Sequence, residues 1–530
     1  MSAARRARAS LCAALCALAI ATPSGATGFH EVGQDILPRE RTEVEVSGYL
    51  RTRMEALHNL DLDRGLTPSG QPLFPVSEAD PQAQTLTHAD MRARADIKLY
   101  APGSMVAVKA RIDALDNLTL GSLPDGVPSA VTTQRSPADA IRVRRAYGEL
   151  LLPIGLLAAG RMGTHWGLGM LANGGDCLDC DSSDASDRVA FLTPLAGHIF
   201  AAAYDFSATG PTVPRTLQAR AIAVEPTTAV RTVTFAAMRY RDEEARARRS
   251  AAGKVTVEYG SYVTHRWQTD DVPSSYLALA QPLDAARPAA QGIMSRGFTA
   301  TGVDGWARFT FPGGRVEAEL AYLVANVDQA SLLPGVLLRD PAKSRQLGAA
   351  LESDFGSELS RFGAGLDFGY ASGDPAPGFG VVQKPNAAAP QRGDLDGPQA
   401  SPRRDMRVDN FRFHPDYRID RILFREILGA VTDAVYARPH ARAVITRAAS
   451  GSLVAHTAVI ASTAVEAAST PGGKAPLGVE IDPSLRYETQ AFLASLDYGV
   501  LFPLAGLDNV ASGLSARPAQ LIRLRLNYLF

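Results

Sequence analysis

The sequence predicts an all-β fold: a transmembrane antiparallel β-barrel of about eighteen strands, with short periplasmic turns and long extracellular loops. Three observations predict it. Apolar–polar alternation recurs along the chain. Short turns alternate with long polar connections. A secretory leader is followed by no apolar run long enough to cross a membrane as a helix. A chain that leaves the cytoplasm and spans a membrane without such helices must close into a barrel, because hydrocarbon satisfies no backbone hydrogen bonds.

The leader comes first. Arg5, Arg6 and Arg8 precede the short apolar run "LCAALCALAIA", and Ser24 and Ala26 are placed for cleavage after Ala26. Residues 1–26 therefore read as a cleaved signal peptide, 27–42 as a periplasmic N-terminal segment and 43–530 as the barrel. Cys12 and Cys16 follow no lipoprotein-type Leu-Ala-Gly run, so no lipid anchor is expected. The formal net charge of −1 gives no bulk attraction for nucleic acid.

The strands follow. Successive side chains of a strand point to opposite faces. Val44, Val46, Leu50 and Met54 share one face and Arg51 and Arg53 the other. Ala93, Ala95, Ile97 and Leu99 oppose Arg92, Arg94, Asp96 and Lys98. Val106, Val108, Ala110 and Ile112 oppose Lys109, Arg111 and Asp113. The pattern returns in "RVEAELAYLV" and "RFGAGLDFGY", and the chain ends with Ile522, Leu524, Leu526, Tyr528 and Phe530 opposite Arg523, Arg525 and Asn527. Period two over about ten residues fits a tilted membrane-crossing strand. The turns "APGS", "LPIG", "FPGG" and "GSEL" alternate with long stretches at 58–89, 119–138, 168–196, 267–296 and 374–429. Strands near 217–241 and 476–502 are the least regular, and without them the count falls to about sixteen.

The face opposite the greasy one is basic. Arg51, Arg53, Arg92, Arg94, Lys98, Lys109, Arg111, Arg523 and Arg525 face the lumen, and the same register adds Arg142, Arg144 and Arg161. The first three strands and the last become neighbours on closure, so these residues form one wall. Such a wall favours anionic solutes, small molecules or acidic oligosaccharides. The competing reading is that Arg–Asp/Glu ladders brace the wall and carry no cargo. Arg145 and Glu149 fall on the lipid face in this register, which calls for an interfacial position or a bulge.

"GDCLDCDSSDASD" holds Cys177 and Cys180, the two cysteines beyond the leader, in an expected external loop. A disulfide suits an oxidising compartment. Two thiols without a nearby His make half a zinc site. Asp176, Asp179, Asp181, Asp184 and Asp187 could bind calcium, or form a solvated acidic loop; the motif lacks the EF-hand Gly and terminal Glu. No other cofactor is expected. In the longest loop, 374–429, Ile419, Ile422, Leu423 and Ile427 follow helical spacing. An apolar stripe outside a pore has the mouth to pack into, so about 410–429 is expected to fold inward as a constriction or lid; the competing reading is a cap over the rim with no gating role. His165, His265, His414 and His440 are scattered without partner spacing, which argues against a barrel enzyme.

"RRAYGELLLPIGLLAAGRMGTHWGLG" and "LGVEIDPSLRYETQAFLASLDYGVLFPLAG" resemble alginate-export-type outer-membrane porins. With "NGGDCLDCDSSDASDRV" and "FHPDYRIDRILFREILGAVTDAVYARP", the chain resembles a family of uncharacterised myxobacterial outer-membrane barrels. The resemblance implies a Gram-negative outer membrane, its lipid as surroundings, and barrel-assembly machinery that reads Tyr528 and the terminal Phe530. It implies a porin-like channel or a non-conducting structural or receptor barrel.

Overall fold

The strands of the computed structural model close into one antiparallel barrel, apart from the short segments Thr212–Pro214 and Ala221–Ala223, which pair with each other. The structure describes residues 39–530 apart from 78, 81–83, 122–140, 215–219, 273–291, 332–335, 358–359, 380–390 and 396–404, together with Phe29, Val32 and Gly33. The leader and most of the loop expected at 119–138 lie outside the described residues. The strands are β1 (Glu43–His58), β2 (Thr85–Tyr100), β3 (Val106–Thr119), β4 (Ile141–Leu152), β5 (Gly155–Gly163), β6 (Ala185–Leu195), β7 (His198–Ala208), β8 (Val230–Arg239) and β9 (Thr256–Asp271). They continue as β10 (Met294–Phe311), β11 (Gly314–Val327), β12 (Ala342–Phe355), β13 (Phe362–Ala371), β14 (Ala434–Ala448), β15 (Gly451–Ala464), β16 (Pro476–Ile481 and Ser484–Glu488), β17 (Phe492–Pro503) and β18 (Ala519–Leu529). The sheet has nineteen segments; the two halves of β16 bridge the same neighbours, which leaves eighteen strands. Both irregular regions of the sequence thus carry strands: β8 in the first, β16 and β17 in the second.

β1 closes the barrel against β18, with Tyr49 opposite Leu529 and Arg53 opposite Arg525. Phe530 extends the closure: Gly48 N–H donates to its carbonyl at 2.9 Å and its own N–H donates to Gly48 O at 3.1 Å. A Cβ on Gly48 would lie 2.0 Å from the Arg94 carbonyl, so this seam requires glycine. Alternation sets the two surfaces. Val263 on β9, Val303 on β10 and Tyr322 on β11 pair in one outward row and are all exposed. β8, whose sequence hides its faces, turns Thr232, Thr234, Ala236 and Met238 inward and Phe235 outward. The result is a greasy belt around a polar interior, a membrane-spanning barrel of the outer-membrane type.

Loop lengths segregate by end. Two residues join β4 to β5, β6 to β7, β10 to β11 and β14 to β15. The longest turn at this end, 240–255, carries the helix α1 (Glu243–Ala251), capped by Asp242 Oδ1 accepting from the Ala245 N–H at 2.6 Å. At the other end run 59–84, 164–184, 372–433 and the remaining long connections. The stretch expected as a loop at 168–196 is part strand, since β6 begins at Ala185. Of the N-terminal segment, Phe29 and Val32 are buried, Phe29 beneath the Arg188 guanidinium, and Gly33 N–H donates to Glu149 at 3.3 Å. The described part of that segment therefore packs onto the inner wall.

Candidate functional site

The basic wall forms where the closing strands meet. Register places Arg51 opposite Arg92, and Arg53 between Asp90 and Arg525. Like charges so close need acids between them. Arg53 Nε donates to Asp90 at 2.8 Å, Arg92 Nε to Asp116 at 2.7 Å, and Arg94 grips Asp113 at 2.7 and 2.9 Å. Arg111 grips Asp96, Lys109 meets Glu149 at 3.1 Å, and Arg523 meets Glu55. Lys98 stands half-buried near Glu45. Asp116 also receives Arg142 and Arg144. It can do so because β3 is irregular here, with Leu115 and Asn117 at positive φ, which aims Asp116 and Asn117 inward.

Arg161 does not line the lumen. It stands half-exposed on the outer face, paired with the equally exposed Asp187 at 2.7 Å. A bulge in β4 is the cause: Arg111 pairs with Arg145 but Ile112 with Val143, so Arg144 is extra and parity flips. Arg142 and Arg144 point inward before the bulge; Arg145, Tyr147 and Glu149 do so after it. Arg161 pairs with Ala146, which the flip turns outward.

The connection 164–184 is not an external loop. It folds into the lumen and crosses it. One arm docks on β11, where Glu319 accepts backbone N–H groups from Leu168 at 2.6 Å and from Met170 and Leu171 at 3.4 Å. Trp166 stands edge-on to Tyr262 of β9, ring centres 4.9 Å apart. The other arm carries the Cys177–Cys180 disulfide, Cα atoms 5.1 Å apart, and lies on the basic wall. Arg51 donates to the Leu178 and Cys180 carbonyls, Arg92 to Cys180 and Arg94 to Gly175. Asp176 pairs with Arg111 and Arg145, and Asp181 with Arg51 and Arg53 at 3.0 Å each. Asp179 takes Arg425 at 2.6 Å, Arg525 at 2.7 Å and Arg418 at 3.4 Å. Burial works to raise the pKa of all three aspartates, but the surrounding guanidinium groups outweigh it and hold each below the ordinary carboxylate range.

The second inward segment comes from 372–433. Ile419, Ile422, Leu423 and Ile427 are all buried, in an apolar cluster with Leu57, Leu477, Leu501 and Leu521 of the wall. The expected helical run is a single π-helical turn, Leu423–Ile427. The rest is held in irregular form by side chains. Glu480 of β16 accepts N–H groups from Arg421, Ile422 and Leu423 at 2.8–3.0 Å, as Glu319 does for the other loop. Asp420 accepts from Phe424 and Arg425. Burial, then the nearby Glu480, pushes the Asp420 pKa well above the carboxylate range. The two inward segments also grip each other. Asp416 accepts the Asp181 and Ser182 N–H groups at 2.9 and 2.8 Å, and Arg418 reaches Asp181 at 2.6 Å.

The aspartates expected as a calcium set therefore face guanidinium groups instead. Asp184 lies 3.5 Å from His414, and Asp187 is on the outer face. Among the described residues no group of three His, Cys, Asp or Glu side chains could hold a metal ion. Sequence reasoning missed Arg145, Arg188, Arg418 and Arg425 on the basic side, and Glu319 and Glu480 as docking posts. The alternation of acids and arginines in "DYRIDRILFRE" was the available signal for the loop arginines.

No family model and no curated protein matches the sequence. Solved structures do resemble it. OpdK, an outer-membrane protein from Pseudomonas aeruginosa, is 10% identical with a TM-score of 0.45, over 92% of this chain and 98% of that one. An anion-selective porin from Comamonas acidovorans is 9% identical with a TM-score of 0.39, over 92% and 100%. OmpT, an outer-membrane protein of Vibrio cholerae, is 10% identical with a TM-score of 0.33, over 94% and 100%. These are likenesses to barrels at very low identity; the architecture of this chain stands on its own strand pairing.

Proposed function

We propose that this protein is a passive outer-membrane channel, not an enzyme, that passes small or oligomeric solutes and favours anions. The observation that carries the reading is the pair of long connections folded into the lumen and fastened to its wall. A barrel that narrows its own bore in this way has the build of a selective passage. Anion preference is supported by the arginines on β1–β4 and β18 and by Arg418 and Arg425 on the lid. It is tempered by the acids that pair with them. Leader cleavage after Ala26, insertion by assembly machinery that reads Tyr528 and Phe530, and function without a cofactor belong to the same reading.

A second reading has its own observation. Arg51, Arg92 and Arg523 are fully buried beneath the inward segments, as expected of a sealed structural or receptor barrel. Planar-bilayer recording in a KCl gradient separates the two. Unitary steps with a reversal potential on the chloride side support the anion channel. Steps with a potassium-side potential overturn the anion preference, and silence supports the sealed barrel.

A further inference from the structure

Most lumenal carboxylates described above meet guanidinium groups. Asp304 and Glu319 do not. They are 0% and 2% exposed, and neither forms an ion pair with Arg, Lys or His among the described residues. Asp304 lies opposite Ala321 and Glu319 opposite Trp306, so the two are diagonal neighbours on the inner face of β10 and β11. The Asp304 carboxyl faces that of Glu319 and the Trp166 indole, yet neither of its oxygens, nor the indole nitrogen, finds a hydrogen-bond partner of ordinary geometry. An ionised carboxylate only accepts hydrogen bonds, so contact between two of them requires a proton. Two buried like charges with no counterion cannot both persist. The pair therefore shares a proton, while Glu319 also receives the three N–H groups that dock the 164–184 connection.

Among the described residues no arginine or lysine pairs with either carboxyl. From β9 the facing group is the Tyr262 phenol, which Asp184 of the loop also faces. The histidines on the inward segments are His165, on the arm itself, and His414, whose backbone N–H donates to the Met170 carbonyl at 2.7 Å and whose ring lies 3.5 Å from Asp184. Glu317 on β11 is already engaged by the Trp306 indole at 2.7 Å and by Arg315 at 2.6 Å. Arg308 on β10 is spent on Glu258 at 3.0 Å.

We propose that Asp304 and Glu319 form a proton-operated latch: while the pair holds its proton the Trp166–Leu171 arm stays docked across the lumen, and loss of the proton releases the arm. The sign follows from linkage. The docked state binds a proton that the released, hydrated carboxyls give up to lumenal water at neutral pH. Docking is therefore firmest at low pH and weakens as pH rises. The widening of the passage rests on the channel reading; the movement of the arm does not.

The test uses the full-length protein, in detergent and in planar bilayers, with heat-dependent SDS-gel mobility to certify folding of each variant. Trp166 emission, taken as the difference from Trp166→Phe, reports the arm without any current. Between about pH 5 and about pH 9 the wild type is expected to red-shift and to gain about twofold or more in conductance. In Asp304→Asn the amide donates to Glu319 at every pH, so emission and conductance should stay at their low-pH values. Glu319→Gln should do the same, its amide donating to Asp304. A flat wild-type emission over that range overturns the latch. So does a pH response that survives undiminished in both variants. An emission shift that both variants abolish, with no current at any pH, upholds the latch and sinks the channel reading.

Discussion

Asp179→Ala tests the other anchor of the same loop. Three guanidinium groups lie within 3.4 Å of one Asp179 oxygen, and Arg53 lies 3.6 Å from the other. The Asp179 side chain is 19% exposed, and those of Arg425 and Arg525 are 8% and 9% exposed. Removing the carboxylate leaves these arginines unequally provided. Arg53 keeps Asp90, Arg418 keeps Asp181 and Asp416, and Arg425 keeps Glu426. Arg525 loses the one ion-pair partner recorded for it among the described residues. Stranding a buried charge costs about 3–5 kcal/mol, and the partial compensation argues for the lower end. About 3 kcal/mol shifts the docked-to-released ratio of the loop roughly 100-fold. Chymotrypsin reads that ratio at Leu178, which adjoins Asp179 in the arm this cluster holds and is cleavable only when that arm is released. While reclosing outpaces cleavage, the rate should rise by about the same factor. Asp187→Ala, which removes a half-exposed pair on the outer face, should change the rate by less than about fivefold, as surface pairs contribute about 0–1 kcal/mol. Equal cleavage of Asp179→Ala and wild type, both folded, would refute the reasoning that this ion cluster holds the loop.

Four further outcomes are expected. Reducing the Cys177–Cys180 disulfide, or replacing both cysteines by serine, removes about 2 kcal/mol of loop preorganisation, read as faster chymotrypsin cleavage with barrel mobility on SDS gels unchanged. Val303→Arg puts a charge mid-belt on the lipid face and should cost about 2–4 kcal/mol in folding into lipid vesicles, measured by urea titration. Ile422→Ala empties a fully buried position of the lid and should weaken its docking by about 2–5 kcal/mol, seen as more frequent high-conductance dwells in bilayer records. Deleting Phe530 removes the residue that completes the β1–β18 seam and should lower the yield of heat-modifiable barrel in the outer membrane, with translation unaffected.

The barrel was legible because its signal is local. Period two in "EVEVSGYLRTRME" or "LIRLRLNYLF" needs no knowledge of a partner strand, and neither does the segregation of turn lengths. The faces failed only where pairing departs from one-to-one. Arg161 was misplaced through the bulge at Arg144, which is visible in the pairing of Arg111 and Ile112 and not in either strand alone. Arg145 and Glu149 were the trace of that bulge in the sequence: charged residues on a supposed lipid face.

The site was harder to read because its two halves are remote in sequence and each is ambiguous alone. A basic wall suggests an anion path, and an acidic loop suggests a cation site. Brought together they answer each other, as when Asp179, Asp181 and Asp176 meet Arg525, Arg53 and Arg111. This changes what the lumenal arginines mean. An arginine fixed by a loop aspartate offers an anion nothing until that loop moves. On the proposed channel reading, selectivity depends on how firmly the loop is held at its two ends. Arginine ion pairs fix one end at every pH where the aspartates stay ionised. The other end hangs from Glu319, a carboxyl beside Asp304 with no cation to balance it. The end that can let go is the one whose charge is not cancelled.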